Sequence, residues 1–412
     1  APVLSWQISA RTLVTFEDDY SQVNTHFDAG LPVEGTIEPN PNGEIPRDRF
    51  VGEPDDDDSQ NKVFRISYDL EHEFGDDWKF KSVFRTAIVN LDRGIVLSFL
   101  GFEDEDLTTL SRCFSDQELN EIGYNLDNYG VCEFSTGSIE HKLVAGVNLF
   151  RQDTDILDES TPIASLDVFN PVYGNSPTGD SVVFFDTESV IQSVGLFVQD
   201  QINFTDNFIV LLGGRFDISN QDFSNAVSDT DDFSQDVAFS PRAGIVYKPI
   251  EPISLYASFT RSFKQATSNY RPAPSDPERG TQYEIGVKGD ISDRLSTTFA
   301  LYHLTLTNLP VSDPNNPFVT VPTGEQRSQG IELDVSGEIL PGWNIIAGYA
   351  YTDAEITEDN TDIEGNKLSN IPENSVNFWT TYKIGRGSLS GLGFGLGFFI
   401  LGDRPGDADN TF

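Results

Sequence analysis

The stretch that decides the fold is FRISYDLEHEFGDDWKFKSVF, residues 64–84. Apolar and polar residues alternate on both sides of the central GDD, as they do in two β-strands that each have one apolar and one polar face. A three-residue turn at GDD places Glu73 opposite Lys79 and Glu71 opposite Lys81. Opposite charges that face each other across a sheet contribute roughly 0.2 to 1 kcal/mol per pair. The sequence therefore predicts an antiparallel hairpin with a defined register.

The same alternation recurs in about fifteen segments, most of them longer than the five or six residues of an ordinary strand. These segments are 3–16, 62–74, 78–90, 123–134, 139–151, 188–204, 208–219, 237–248, 253–263, 281–290, 294–307, 327–338, 343–355, 373–384 and 389–401. No repeat of 40 to 50 residues, typical of a propeller, accompanies them. Long strands with alternating faces predict an all-β fold.

The connections between these segments alternate between short turns and long polar loops. Short turns are predicted at 75–77, 135–138, 205–207, 250–252, 291–293 and 340–342, and long loops at 17–61, 91–122, 152–187, 220–236, 264–280, 308–326 and 356–372. In an antiparallel meander this order places all turns at one end and all loops at the other. It predicts a transmembrane β-barrel with short periplasmic turns and long extracellular loops.

The alternation of turns and loops also decides the weak segment 123–134, because without it two long loops would follow each other. As a strand, this segment places Cys132 beside a short turn and Cys113 in a long loop, roughly 30 Å apart at about 3.3 Å per residue. We therefore expect no disulfide between them. Trp78 and Trp343 directly follow predicted short turns, and Trp6 opens the first strand as it leaves the turn end. These positions predict an aromatic belt at the membrane interface; the alternative is that each tryptophan opens a buried strand.

Composition excludes other classes of protein. With 26 basic and 66 acidic residues the formal charge is −40, which argues against nucleic acid as a partner. The most apolar stretch, 391–402, is shorter than the roughly 20 residues of a membrane-spanning helix.

The four alternating glycines of this stretch predict a strand whose missing side chains leave room for a neighbouring domain. The chain begins with Ala1 and contains no Met, so we expect a fragment, with a processed chain as the alternative.

Several segments resemble the barrel of TonB-dependent outer-membrane siderophore receptors. They are VGLFVQDQI (194–202), LLGGRFD (211–217), FSPRAGIVYKP (239–249), LYASFTRSF (255–263), YEIGVKGD (283–290), RSQGIEL (327–333) and GYAYTDA (348–354). TGSIEHKL (136–143) is similar to a strand opening common in the ferric hydroxamate (ferrichrome-like) branch. The resemblance implies a barrel of about 22 strands, of which the fifteen here correspond to the fifth to nineteenth. Residues 1–412 would then be a partial barrel domain that lacks the plug and both barrel ends.

The resemblance implies a transporter in the bacterial outer membrane that imports ferric siderophores, energised by the TonB complex through the missing plug. The resemblance further implies that it has no catalytic residues, no cofactor and no metal site of its own, and that its partners are the ferric siderophore, TonB and outer-membrane lipid. The alternatives are a plugless diffusion porin and a receptor of the same fold for cobalamin or a sugar. A soluble β protein, such as a carbohydrate-binding propeller or an enzyme, is the third hypothesis.

Aromatic and basic side chains in the long loops are the candidates for contacting a bulky chelate. They are Tyr173, Phe185, Tyr270, Arg271 and Phe318; each aromatic could instead pack locally and hold its loop. Residues 17–60 carry 13 Asp or Glu, including the run Asp55–Asp58. That run could capture divalent cations or a cationic chelate, or it could be a solvated loop.

One residue conflicts with a lipid-facing surface. Asp200 falls on the same predicted face as Val194, Leu196 and Val198. A charge near the bilayer midplane would cost roughly 2 kcal/mol or more. A bulge or a position near the rim would remove the conflict.

Overall fold

The computed structural model describes residues 2–55, 58–98, 101–265, 276–313 and 316–411; side chains are described for these residues except 312–321 and 323. Strands make up all the regular secondary structure of this part of the chain. None of its segments is a helix long and apolar enough to cross a membrane.

Sixteen strands form one antiparallel sheet in which each strand pairs with its neighbours in chain order, and two short strands, β5 and β8, form a separate sheet. The strands are β1 (Val3–Ser9), β2 (Thr12–His26), β3 (Asp58–Glu73), β4 (Trp78–Leu97), β5 (Thr109–Leu110), β6 (Cys113–Thr136), β7 (Ile139–Pro162), β8 (Leu166–Asp167), β9 (Val182–Thr205), β10 (Phe208–Asn225), β11 (Thr230–Ile250), β12 (Ile253–Lys264), β13 (Glu278–Ser292), β14 (Leu295–Asp313), β15 (Asn316–Leu340), β16 (Trp343–Glu358), β17 (Asn374–Lys383) and β18 (Gly393–Leu401). The antiparallel all-β prediction is confirmed.

The hairpin around the GDD turn has the predicted register. Glu73 lies opposite Lys79, and Glu71 lies opposite Lys81. Both pairs form ion pairs, with N–O distances of 2.8 and 2.6 Å respectively. The weak segment 123–134 is also a strand, as part of β6. The local charge pattern and the alternation of turns and loops were sufficient to predict these features.

The prediction of a single strand at 3–16 is wrong. These residues form a hairpin, β1 and the start of β2, joined at Ala10 and Arg11. Residues that face each other across this turn, such as Leu4 and Phe16, have numbers of the same parity. The apolar alternation therefore continues through the turn without a break, and no Gly, Pro, Asn or Asp marks it. As a result Trp6 lies on the strand that enters the turn, not on the one that leaves it.

The strands extend beyond their predicted ends on the long-loop side. The predicted loop 220–236 is only residues 226–229, because β10 and β11 pair up to Asn225 and Thr230. The predicted loop 308–326 is almost entirely strand as well. Apolar alternation ends where side chains no longer face lipid, whereas backbone hydrogen bonding continues past that level.

The two faces of the large sheet differ in polarity. Val194, Leu196 and Val198 lie on one face and are 46%, 56% and 51% exposed; we call this the apolar face. The opposite face carries residues such as Asp127, Arg215 and Arg242, which line a common cavity; we call this the polar face. In a membrane barrel the apolar face contacts lipid and the polar face lines the interior.

Asp200 lies on the apolar face, close to the turn that joins β9 and β10. Its Oδ2 lies 2.7 Å from His141 Nδ1, and the His141 ring stacks on Phe134 with 4.7 Å between ring centroids. The conflict found in the sequence is therefore resolved by position near the rim and by pairing with His141.

The glycines of β18 accommodate a side chain of the same sheet. Gly395 and Gly397 alternate on one face, and an added Cβ on Gly395 would lie 3.3 Å from Cζ2 of Trp379. The indole of Trp379 from β17 thus occupies the space that the glycine pattern was expected to leave for a neighbouring domain.

Candidate ligand vestibule

Three long connections at the loop end of the sheet fold together into a small unit, which we call the outer cap: residues 27–55, 101–112 and 163–181. The ladder between β5 and β8 joins the second connection to the third. Five apolar side chains, each at most 3% exposed, form its core: Ile45, Val51, Leu110, Leu166 and Val168. These connections, predicted as long polar loops, therefore contain a hydrophobic core of their own.

A buried ion pair lies beside this core. Arg112 Nη2 donates to Glu53 Oε1 at 2.8 Å, and the two side chains are 0% and 1% exposed. Arg112 also donates to the carbonyl oxygens of Val51, Gly52 and Ala164 at 2.7 to 3.1 Å. Because all five hydrogen bonds of this guanidinium go to the first and third connections, Arg112 holds the three connections together.

The turn that precedes β5 is organised by Asp104. Its carboxylate accepts hydrogen bonds from the backbone N–H groups of Thr108 and Thr109 at 2.9 and 3.1 Å, and from the Thr108 hydroxyl at 2.8 Å. These donors, with the Thr108 N–H as the largest contributor, lower the pKa of Asp104 to about 2. The charged form of this carboxylate therefore stabilises the fold of the cap.

The structure places two of the candidate ligand residues, Tyr173 and Phe185, in different elements. Tyr173 lies in the outer cap, where its hydroxyl donates to the Phe50 carbonyl oxygen at 2.8 Å; this contact holds the loop. Phe185 lies in β9, opposite Asp158, and not in a loop. The backbone of Phe318 is part of β15, and its side chain is outside the described part, as are Tyr270 and Arg271. Contact of these residues with ligand stays a prediction.

The predicted interface tryptophans lie at the turn end of the sheet, and the acidic run is described only in part. Trp78 and Trp343 begin strands directly after short turns, Trp6 lies just before one, and all three are exposed. Asp58 lies 3.4 Å from His26 through Oδ1 and Nδ1, whereas residues 56 and 57 are outside the described residues. Within the described ranges no group of three or more His, Cys, Asp or Glu could hold a metal ion.

A cavity of about 850 Å³ lies on the polar face, lined mainly by β9 to β12. Phe150, Ile191, Phe197 and Phe263 form its apolar part. Arg215 and Asp217 line it as well, and the Arg215 guanidinium contacts Asp217 Oδ1 at 2.7 Å and Asn148 Oδ1 at 3.0 Å. The missing side chain of Gly195 makes room for this pair, since an added Cβ there would collide with the Arg215 guanidinium.

A model of the family described as TonB dependent receptor-like, beta-barrel matches residues 5–412. The chain belongs to this family. Its members are outer-membrane receptors and transporters, and the chain is accordingly an outer-membrane β-barrel.

Two relatives of the TonB-dependent receptor barrel are 31% identical to it over the whole chain. One is the metal-pseudopaline receptor of Pseudomonas aeruginosa PAO1, of which 59% is covered. The other is the ferrichrome outer membrane transporter and phage receptor of Escherichia coli K12, of which 58% is covered. The chain thus spans a little under three fifths of the length of these relatives.

The fold is similar to that of a solved structure, the siderophore receptor PiuA from Acinetobacter baumannii. The TM-score is 0.86 at 22% identity, with 100% of this chain and 65% of that chain covered. The preacinetobactin receptor BauA of the same species gives a TM-score of 0.79 at 19% identity, with 99% of this chain and 62% of that chain covered. These structures support the barrel fold of the chain.

Sequence reasoning missed the most buried polar groups of the outer cap and the basic residues of the cavity. Glu53 and Arg112 are 59 residues apart and carry no local motif. Arg215 and Arg242 lie within the segments LLGGRFD and FSPRAGIVYKP, which carried the family resemblance. Each segment contains an arginine close to glycines in the sequence, and the two segments are consecutive strands. That pattern is the signal that could have placed both arginines on one cavity wall.

Proposed function

We propose that the chain is the barrel of a receptor that imports ferric siderophores across the outer membrane, energised through TonB. The observation that carries this proposal is the alignment of the whole chain, at 31% identity, with receptors that are named for metal chelates. A polar face with a cavity of about 850 Å³ supports it, because sites for ligands of this kind commonly measure roughly 300 to 1,000 Å³.

The function divides between two parts of the barrel. The outer cap forms a folded rim at the loop end, held by the Arg112–Glu53 pair. The cavity lies on the polar face, mainly between β9 and β12, and offers apolar surface beside charged and hydroxyl groups. Such a lining suits a bulky chelate, whose apolar parts pack while a few polar contacts fix its orientation. No covalent step is required; the plug that the family resemblance implies would supply the gate.

The test is uptake of iron by cells that carry or lack the gene for the full-length receptor. Cells with the receptor should accumulate radioactive iron supplied as ferrichrome or another ferric siderophore, and deletion of the gene should abolish this uptake. A strain without TonB is the matched control and should behave like the deletion. Uptake of cobalamin or a sugar in place of every ferric chelate would refute the iron assignment and leave the fold unchanged.

A second candidate is a receptor for chelates of other metals. It is favoured by the metal-pseudopaline receptor, which is as similar to the chain as the ferrichrome transporter is. The same cells, supplied with one chelator loaded with iron, zinc or nickel, separate the two candidates. Uptake that follows iron alone supports the first candidate, and equal uptake of zinc or nickel supports the second.

A further inference from the structure

The cavity on the polar face has a charge balance opposite to that of the whole chain. The chain has 26 basic and 66 acidic residues. Among the described residues that line the cavity, four are basic (Arg215, Arg242, Arg261 and Lys264) and two are acidic (Asp127 and Asp217). A cavity that concentrates basic side chains in so acidic a protein points to an anionic occupant.

Most charges in the cavity are already paired. Asp217 is neutralised by Arg215, and Lys264 Nζ lies 2.9 Å from Glu278 Oε1. Asp127 accepts a hydrogen bond from Asn148 at 2.8 Å and lies 3.9 Å from Arg85. The anionic occupant must therefore be attracted by a different cation.

Two arginines remain. Arg261 directly follows Thr260, the partner of Arg242, so its side chain lies on the opposite, apolar face of the sheet. Arg242 is therefore the remaining cation of the polar face. It lies opposite Gly213 of β10 and Thr260 of β12 and is exposed to the cavity. An added Cβ on Gly213 would lie 3.2 Å from Arg242 Nε, so this glycine allows the side chain to lie along the sheet. Among the described residues, Arg242 forms no ion pair with an N–O distance of up to about 4 Å, the usual limit for such a pair.

Hydroxyl groups line the same cavity as this guanidinium. Ser240 is on the same face of β11, Thr260 lies opposite on β12, and Ser193 and Ser262 also line the cavity. A guanidinium donates two parallel hydrogen bonds to a carboxylate, and neighbouring hydroxyls can donate to its remaining lone pairs. These groups together match a carboxylate better than they match an apolar or cationic group.

We propose that this cavity is a carboxylate-binding subsite in which Arg242 supplies the charged contact. The proposal rests on the proposed function, because the carboxylate belongs either to the imported metal chelate or to an acidic side chain of the plug in the full-length receptor. The formal charge of −40 does not oppose it. At physiological salt the Debye length is about 8 Å, so distant loop charges are largely screened at the cavity.

The test uses the full-length receptor, purified in detergent, in four forms: wild type, Arg242→Gln, Arg242→Lys and the control Arg294→Gln, which lies outside the cavity in the short turn between β13 and β14. Affinities are measured for ferric citrate, an anionic carboxylate chelate, and for ferrichrome, a neutral hydroxamate chelate. The unfolding temperature is measured without chelate. If the carboxylate belongs to the chelate, Arg242→Gln weakens ferric citrate binding roughly tenfold, the loss of one charge-assisted hydrogen bond.

In that case the affinity for ferrichrome and the unfolding temperature stay at wild-type values, and Arg242→Lys retains part of the citrate affinity. If the carboxylate belongs to the plug, Arg242→Gln lowers the unfolding temperature without chelate and makes the plug more sensitive to protease. If the receptor binds both chelates, Arg242→Gln then changes its affinity for ferric citrate and for ferrichrome by the same factor. Arg242→Lys again retains part of the wild-type unfolding temperature and protease resistance.

The proposal is overturned if Arg242→Gln behaves like wild type in affinity, unfolding temperature and protease sensitivity. It is also overturned if Arg242→Lys is as impaired as Arg242→Gln in every measurement, because the effect then depends on shape and not on charge. A wild-type receptor that binds no ferric chelate would instead refute the proposed function; the unfolding and protease measurements would still decide the role of Arg242 toward the plug.

Discussion

Two arginine–glutamate pairs illustrate how differently the outer cap and the barrel wall are held together. Arg112 and Glu53 in the cap are 2.8 Å apart, with side chains 0% and 1% exposed. Arg294 and Glu338, beside a short turn, are 2.5 Å apart but 68% and 21% exposed. Removal of one partner from a buried pair leaves an uncompensated charge, whereas exposed pairs contribute little. The cap therefore contains an ion pair that cannot lose one partner without a large cost, while the corresponding pair in the wall is dispensable beside the backbone ladder.

The largest effect is expected for Arg112→Ala. This change leaves Glu53 charged and buried and removes five hydrogen bonds, so it should destabilise the cap by about 3 to 5 kcal/mol. Hydrogen exchange should show loss of protection at the amides of β5 and β8, while the wall strands keep theirs. The double variant Arg112→Met with Glu53→Leu should regain part of the protection. Exchange that also rises throughout the wall would contradict the independence of the two regions.

A somewhat smaller effect is expected for Leu110→Ala. Leu110 is 1% exposed in the core of the cap, and a cavity left by this truncation typically costs about 2 to 5 kcal/mol. Limited proteolysis of the cap loops measures it. The matched control is Leu196→Ala on the apolar face, where the side chain is 56% exposed. Equal proteolysis of the two variants would show that the cap has no core of its own.

The pH dependence of the cap gives a third comparison. The hydrogen bonds from Thr108 and Thr109 hold the pKa of Asp104 at about 2, below its ordinary value of 3.8. A lowered pKa in the folded state contributes stability that is present above about pH 4 and is lost as the pH falls towards about 2. Digestion by pepsin should therefore reach the cap increasingly over this range. Asp104→Asn should make the cap more sensitive near pH 4 and flatten the dependence below it; an unchanged profile would refute the assignment.

The smallest effect is expected for Arg294→Gln. The Arg294 side chain is largely exposed, and Glu338 keeps a hydrogen bond from the Gly342 N–H at 2.6 Å. The heat-dependent gel mobility of the barrel should not change measurably. A clear loss of barrel stability would show that the turn end relies on charge pairs after all, and the contrast with the cap would disappear.

The wall could be predicted from sequence because its rules are local. The ion pairs at Glu71 and Glu73 fixed a register that the structure confirms. The β1–β2 turn could not be predicted because paired residues on its two sides are both even-numbered or both odd-numbered, so the apolar alternation shows no break. Neither Ala10 nor Arg11 is a residue type that favours turns. Strand ends were misplaced for a physical reason: lipid imposes the alternation, while hydrogen bonding between strands does not require it.

The cap and the cavity depend on contacts between distant residues, which periodicity does not reveal. Arg112 meets Glu53 and Ala164 only because β3 to β7 bring three loops to one place. The position of Arg242 in the cavity follows from the strand register, which places it opposite Gly213. Tyr173, proposed as a ligand contact from its residue type, forms a hydrogen bond within the cap.

The contacts of the outer cap also imply an order of assembly. Every wall strand pairs with its neighbours in the chain, so the wall can grow hairpin by hairpin with small loop-closure entropy. The cap joins residues as far apart as Phe50 and Tyr173, whose hydrogen bond of 2.8 Å spans 123 positions. It can close only after the intervening strands are aligned, which makes a folded cap a marker of a wall that has already formed between β2 and β9.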